Sequence, residues 1–179
     1  MPVNHAQKHG HTAQPLLTSV VVGVVFWIIL TMAGNDVVNN PQDIRSRTSV
    51  AVLAVLWNLV GVFSFYTNLT AGPDVLATWP EAQQRIAAAT PRWVFVPFAI
   101  ATIGGVLGSL GLLLGKRWAE PVLLLSLLGI LVQFGSIYAL TPTWALTGVG
   151  GAALPLGIAV VGVFLWWFAG KAVSRGWLR

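Results

Sequence analysis

The chain has 179 residues, of which 56% are hydrophobic and 8% charged, and a mean hydropathy of +0.78. An ordinary soluble domain carries about 25% charged residues, so this composition excludes a water-soluble fold and predicts one membrane domain with no soluble domain beside it. The absence of cysteine excludes disulfides, thiolate metal sites and cysteine nucleophiles, while the net charge of +5, scattered over tails and short loops, points to anionic lipid headgroups rather than to nucleic acid.

Residues 1–15 form a polar tail, followed by an apolar run from Leu16 to Gly34. That length matches the roughly 20 residues a helix needs to cross the hydrocarbon core. Thr31-Met32-Ala33 offers a passable signal-cleavage site, but the tail before the run is long and polar and holds one lysine. A retained first helix is therefore the expectation. Asn39-Asn40-Pro41 and two arginines mark the turn into a second span, from Thr48 to about Asn68, which Gly72-Pro73 stops. In the polar stretch beyond, Thr78-Trp79-Pro80-Glu81 sets a threonine three residues before a glutamate, the pattern of a capping box. It predicts a short interfacial helix over about 79–89, with Trp79, Ala82, Ile86 and Ala89 on one face and Gln83, Gln84 and Arg85 on the other.

The third span runs from Pro91 or Trp93 to Gly115 and the fourth from about Pro121 to Leu140. Only Lys116-Arg117-Trp118-Ala119-Glu120 separates them, which forces antiparallel neighbours. A fifth span is expected over about 150–170, before a basic tail over 171–179. With five spans, Lys8, Arg85 and Arg92 fall on one side, and Arg45, Arg47, Lys116, Arg117, Lys171, Arg175 and Arg179 on the other. The bias predicts an outside N-terminus and a cytoplasmic C-terminus.

Because lipid supplies little hydrophobic force between helices, small and polar residues mark where they touch. The third span carries Gly104, Gly108, Gly111 and Gly115 as a seam at spacings of four, three and four. The second carries Ala51, Ala54, Asn58, Gly61, Phe65 and Asn68 on one stripe, and the fourth Ser126, Gly129, Gln133 and Ser136. Asn58 and Gln133 should face inward. Amid the Val, Phe, Trp and Ile of the first helix, Gly23 is the one small residue, so a four-helix bundle over 48–170 with a peripheral helix over 16–34 is the expected fold, all-α and polytopic. Of the nine tryptophans, most lie toward predicted helix ends or in loops, where indole rings anchor at headgroup level. Trp57, beside Asn58, sits deeper.

Chemistry is sparse. The five acids lie outside or at the ends of the predicted spans, against a proton relay or cation-coupled site. The three histidines, His5, His9 and His11, all lie in the polar tail, and although His5 and His9 could share a helical face, no third ligand is near. No P-loop, dinucleotide fingerprint, HExxH or GxSxG motif occurs, and no cofactor or metal is expected.

The segment Leu56-Trp57-Asn58-Leu59-Val60-Gly61-Val62-Phe63-Ser64-Phe65-Tyr66, together with Gly108-Ser109-Leu110-Gly111-Leu112-Leu113-Leu114-Gly115-Lys116-Arg117-Trp118-Ala119, resembles a group of small proteobacterial four-helix inner-membrane proteins. These are usually labelled hypothetical or, loosely, sugar transporters. The resemblance, over about 48–170, implies a bacterial inner-membrane location and a four-helix core with a long outside loop, but it brings no established activity. The first helix departs from that pattern, as an element docking to a larger assembly would.

The leading expectation is thus a non-catalytic accessory or structural subunit in contact with lipid and with other membrane subunits or copies of itself. The alternative is a small-solute or lipid transporter, in which Trp57, Asn58 and Gln133 line a midplane site. An enzyme would have to rest on Asp74, Glu81, Arg85 and Arg92 alone.

Overall fold

The computed structural model describes residues 44–179, which form helices joined by short turns. In chain order these are α1 (Ile44–Thr70), α2 (Pro73–Ala77), α3 (Glu81–Ala89), a 3-10 turn (Arg92–Val94), α4 (Phe95–Leu113), α5 (Ala119–Leu140), α6 (Thr143–Gly151) and α7 (Ala153–Ser174). The polar tail and the helix expected over 16–34 lie outside the described residues. Four segments, α1, the 3-10 turn with α4, α5 and α7, are long and apolar enough to cross a membrane. Twenty-two residues, the length of three of them, rise about 33 Å, against a hydrocarbon core of about 30 Å. The chain is an all-α, polytopic integral membrane protein, as backbone amides without water partners require.

The spanning helices pack in the order α1, α4, α5, α7, and the outer pair do not lie along one another. The central position of α4 follows from its small residues, which face both ways. Toward α5, a Cβ on Gly104 would lie 3.3 Å from Ser126 Cβ, one on Gly108 2.5 Å from Leu123 Cγ, and one on Gly111 2.9 Å from Ala119 Cβ. From the other side, a Cβ on Gly129 of α5 would lie 2.8 Å from both the Ala101 nitrogen and the Pro97 oxygen. Toward α1, Gly105 backs onto the Asn58 amide and Thr102 lies against Gly61. Phe65 of α1 and Phe98 of α4 add an edge-to-face ring pair with centroids 5.3 Å apart.

Buried apolar side chains gather at one end, that of the Lys116-Arg117 hairpin. Val50, Ala51 and Ala54 of α1 meet Leu112, Leu123, Leu165, Phe168, Ala169 and Ala172 there. At this end the chain is also closed by its C-terminal residues. α4 and α7 end alike, each with a glycine at positive φ, Gly115 (67°) and Gly176 (72°). In both, the next residue's N–H reaches back to the last turn: Lys116 to the Gly111 carbonyl at 2.8 Å and Trp177 to the Ala172 carbonyl at 2.9 Å. This is the Schellman closure that glycine favours. The two turned-back strands then pair: Arg179 N–H donates to the Gly115 carbonyl (2.8 Å) and Arg117 N–H to the Arg179 carbonyl (3.1 Å). Arg47 Nη1 of α1 donates to the Trp177 carbonyl at 2.7 Å, and Leu178 is 3% exposed.

These contacts correct three expectations. Gly115 is not the fourth member of a helix-packing seam; it lies beyond the end of α4 and serves the turn, because only a residue at ease with positive φ can reverse the chain there. Residues 171–179 are not a loose basic tail, since α7 continues to Ser174 and the rest folds back onto the hairpin. The third concerns Thr78, which does not cap α3. The unforeseen helix α2 reaches Ala77, so the Thr78 hydroxyl donates back to the Val75 carbonyl (2.7 Å), Pro80 stands at the start of α3, and Glu81 pairs instead with Arg85 (2.6 Å). The fifth span, expected over about 150–170, is α7 from Ala153, and the stretch before it forms α6, which is kinked at Gly148 (φ 58°).

Candidate functional site

Away from the hairpin end, α1 and α7 leave between them a cavity of about 770 Å³. Its floor is Trp57, Leu123 and Leu165, its back wall comes from α4 and α5, and Trp79, Gln83, Ile86, Ala87 and Thr90 of the α2–α3 segment line its outer part. The α3 face turned to it therefore includes Gln83 in place of Ala82 and Ala89, a rotation of the face expected from the sequence. The volume falls within the roughly 300–1,000 Å³ usual for small-molecule sites. Among the described residues no Asp, Glu, Lys, Arg or His lines it. Most of its wall is apolar, and the polar groups at mid-span are few.

Trp57, Asn58 and Gln133, the residues singled out for a midplane site, all line this cavity. Asn58 is tied into the wall: its Nδ2 donates to the Ala54 carbonyl (2.8 Å) and to Ser109 Oγ (3.1 Å). Ser109 donates in turn to the Gly105 carbonyl at 2.7 Å. Thr102 Oγ1 donates to the Phe98 carbonyl (3.0 Å) and Ser126 Oγ across helices to the Ala101 carbonyl (2.6 Å). Each of these donors already has a protein acceptor. Gln133 differs, for it is 5% exposed and its amide has no hydrogen-bond partner among the described residues. The residue is buried as a whole, yet its amide is not among the fully enclosed unpaired atoms, so the surface it keeps opens onto the cavity.

The helix-packing glycines also shape the site. Gly61 and Gly105 line the cavity, whereas Gly104, Gly108, Gly111 and Gly129 draw α4 and α5 together behind it. Sequence reasoning missed Gly105, Thr102 and Ser109, the small residues through which α4 meets α1. Their spacing of three and four was there to be read, but it was overshadowed by the neighbouring run of glycines.

Ser126 provides a direct measure of the wall's cohesion. Ser126→Ala removes one interhelical hydrogen bond while leaving the Gly104 and Gly105 contacts open, and it should lower stability by about 0.6 kcal/mol, the usual worth of such a bond in a membrane bundle. Reversible unfolding in mixed detergent micelles reads the change; a loss of several kcal/mol would mean that Ser126 holds more than this one bond.

Among the described residues no three His, Cys, Asp or Glu side chains group as metal ligands would. Compared with known proteins, the chain matches no family model, no curated protein sequence and no solved structure.

Proposed function

We propose that this protein is a non-catalytic carrier or binding protein for a small, neutral, lipid-soluble molecule, held inside the bundle. The observation that supports this reading over an accessory subunit is the cavity of about 770 Å³ walled by Trp57, Asn58 and Gln133. A subunit whose task is to pack against a larger complex needs exposed helix faces but no interior space. Here the bundle keeps a mid-span space, and an amide on its wall has no partner among the described residues. The lack of charge among the described residues around the space speaks for a neutral ligand, because an ion there would have no counter-charge from them.

The same reading takes the membrane to be a bacterial inner membrane, in keeping with the resemblance of Leu56 to Tyr66 and Gly108 to Ala119 to small proteobacterial proteins. The basic hairpin, with Arg47, Lys116, Arg117, Lys171, Arg175 and Arg179 near it, faces the cytoplasm by the positive-inside rule, and the α2–α3 segment faces outward. The cavity would then serve the outer half of the membrane.

Native mass spectrometry of the protein released gently from membranes tests the reading. Wild type should carry a small lipophile, and Ile158→Trp, which adds volume on the α7 wall of the cavity, should lose it while keeping the helical circular dichroism of wild type. A bundle that carries no small molecule and migrates only within a larger complex would restore the accessory-subunit reading.

A further inference from the structure

We infer that the ligand is an amphiphile bearing a neutral carbonyl oxygen on an apolar body, and that Gln133 is the residue that binds this oxygen. The inference rests on the carrier reading above and specifies its ligand. It starts from the donors on the cavity wall. Asn58, Thr102 and Ser126 each donate to protein acceptors already. Deep in the cavity, the donors left without a partner among the described residues are the Gln133 amide and the Trp57 indole N–H. Gln133 is 5% exposed, and what surface its amide keeps opens onto the cavity, not onto the outside of the bundle. An amide placed so is satisfied by an acceptor brought in with the ligand.

Position narrows the ligand further. Gln133 stands seven residues inside the Leu140 end of α5, hence about 10 Å below it. Phe98, Ile130, Phe134 and Ile158 line the cavity too, and Trp57, Leu123 and Leu165 continue it toward the hairpin end. The oxygen is therefore bound part-way along an apolar space, with room for hydrocarbon or ring to either side. A phosphate at that depth would find no cation among the described residues, since Arg85 is 62% exposed and paired with Glu81, and neither it nor Arg92 lines the cavity. Quinone-type rings and acylglycerol esters share the required chemistry.

The test measures binding of four probes to the full chain in lipid nanodiscs by equilibrium dialysis: a decyl-substituted benzoquinone, dioctanoylglycerol, dodecane, and dioctanoyl phosphatidylglycerol. At least one carbonyl probe should bind about tenfold more tightly than dodecane, the worth of one well-placed hydrogen bond, and which of the two binds separates ring from ester. Gln133→Leu should lose that tenfold margin, leave dodecane unchanged, and unfold at about the same temperature as wild type, because the amide it removes makes no hydrogen bond to the described residues. Carbonyl probes that bind the leucine variant as tightly as wild type overturn the role of Gln133 while leaving a carrier in place. Tightest binding of phosphatidylglycerol overturns the neutral ligand class. Binding of none of the four, with nothing co-purifying, overturns both this inference and the carrier reading it rests on.

Discussion

Gly129→Val is expected to destabilise the bundle by about 3 kcal/mol, at the upper end of the cost of overpacking a core. A Cβ at this position would lie 2.8 Å from the Ala101 nitrogen and the Pro97 oxygen and 3.2 Å from Ala101 Cα. All three are backbone atoms of one helix turn, so no rotamer change makes room, and α4 and α5 must separate. Contact with backbone sets this site apart from Gly108, where the nearest atom, Leu123 Cγ, belongs to a side chain that can turn. Gly135→Val is the matched control, since a Cβ there meets nothing within 4 Å on the same helix and the change removes a glycine's unfavourable helix propensity. Unfolding followed by circular dichroism should show a large loss for the first and none for the second. Equal shifts would mean that the close approach of α4 and α5 at Pro97 and Ala101 does not hold in the membrane.

The second large effect is expected at Gly115. Valine at a φ of 67° is placed in the left-handed region at a cost of about 1–3 kcal/mol, and its Cβ would lie 3.1 Å from Arg47 Nη1. The substitution therefore strains the turn and pushes on the guanidinium that binds the Trp177 carbonyl. Gly176→Val carries a comparable backbone strain, with φ at 72° and nothing within 4 Å of the added carbon. The difference between the two isolates the contact with Arg47. Hydrogen exchange at the Arg179 amide, which donates to the Gly115 carbonyl, should accelerate more in Gly115→Val than in Gly176→Val. Identical acceleration would assign the whole effect to backbone strain.

The spanning helices were legible because apolar runs near 20 residues are punctuated by Gly72-Pro73, Thr90-Pro91 and Thr141-Pro142, which interrupt regular hydrogen bonding wherever they occur. Gln133 and Asn58 could be placed on the inner face for a related reason: an amide in an apolar span has no partner in lipid. Glycine spacing pointed to the α5 side of α4, where Gly104, Gly108 and Gly111 make close contacts. The α1 side escaped notice because Thr102, Gly105 and Ser109 mix three residue types, and only the arrival of Gly61 and Asn58 gives them a common purpose. Gly115 was misread since its spacing continues the seam, while its conformation is set by the reversal of the chain. The pairing of Arg179 with Gly115 and Arg117 joins residues more than sixty positions apart, and nothing local announces it. The cavity was least legible of all. It is the space left where α1 and α7 do not lie along one another, and such a divergence has no residue of its own.

The paired glycine turns at the hairpin end have a further electrical consequence. There α1, α4, α5 and α7 are packed with side chains such as Ala51, Leu112, Leu165 and Phe168, and Arg179 is tied to Gly115 and Arg117 by backbone bonds. If water enters the cavity from the opposite side, the membrane potential falls mainly across this dry, low-dielectric half. Moving one charge through 100 mV takes about 2.3 kcal/mol, yet no ionisable group among those lining the cavity lies in that field. Filling and emptying of the space should therefore be insensitive to voltage and leave the membrane's resistance intact.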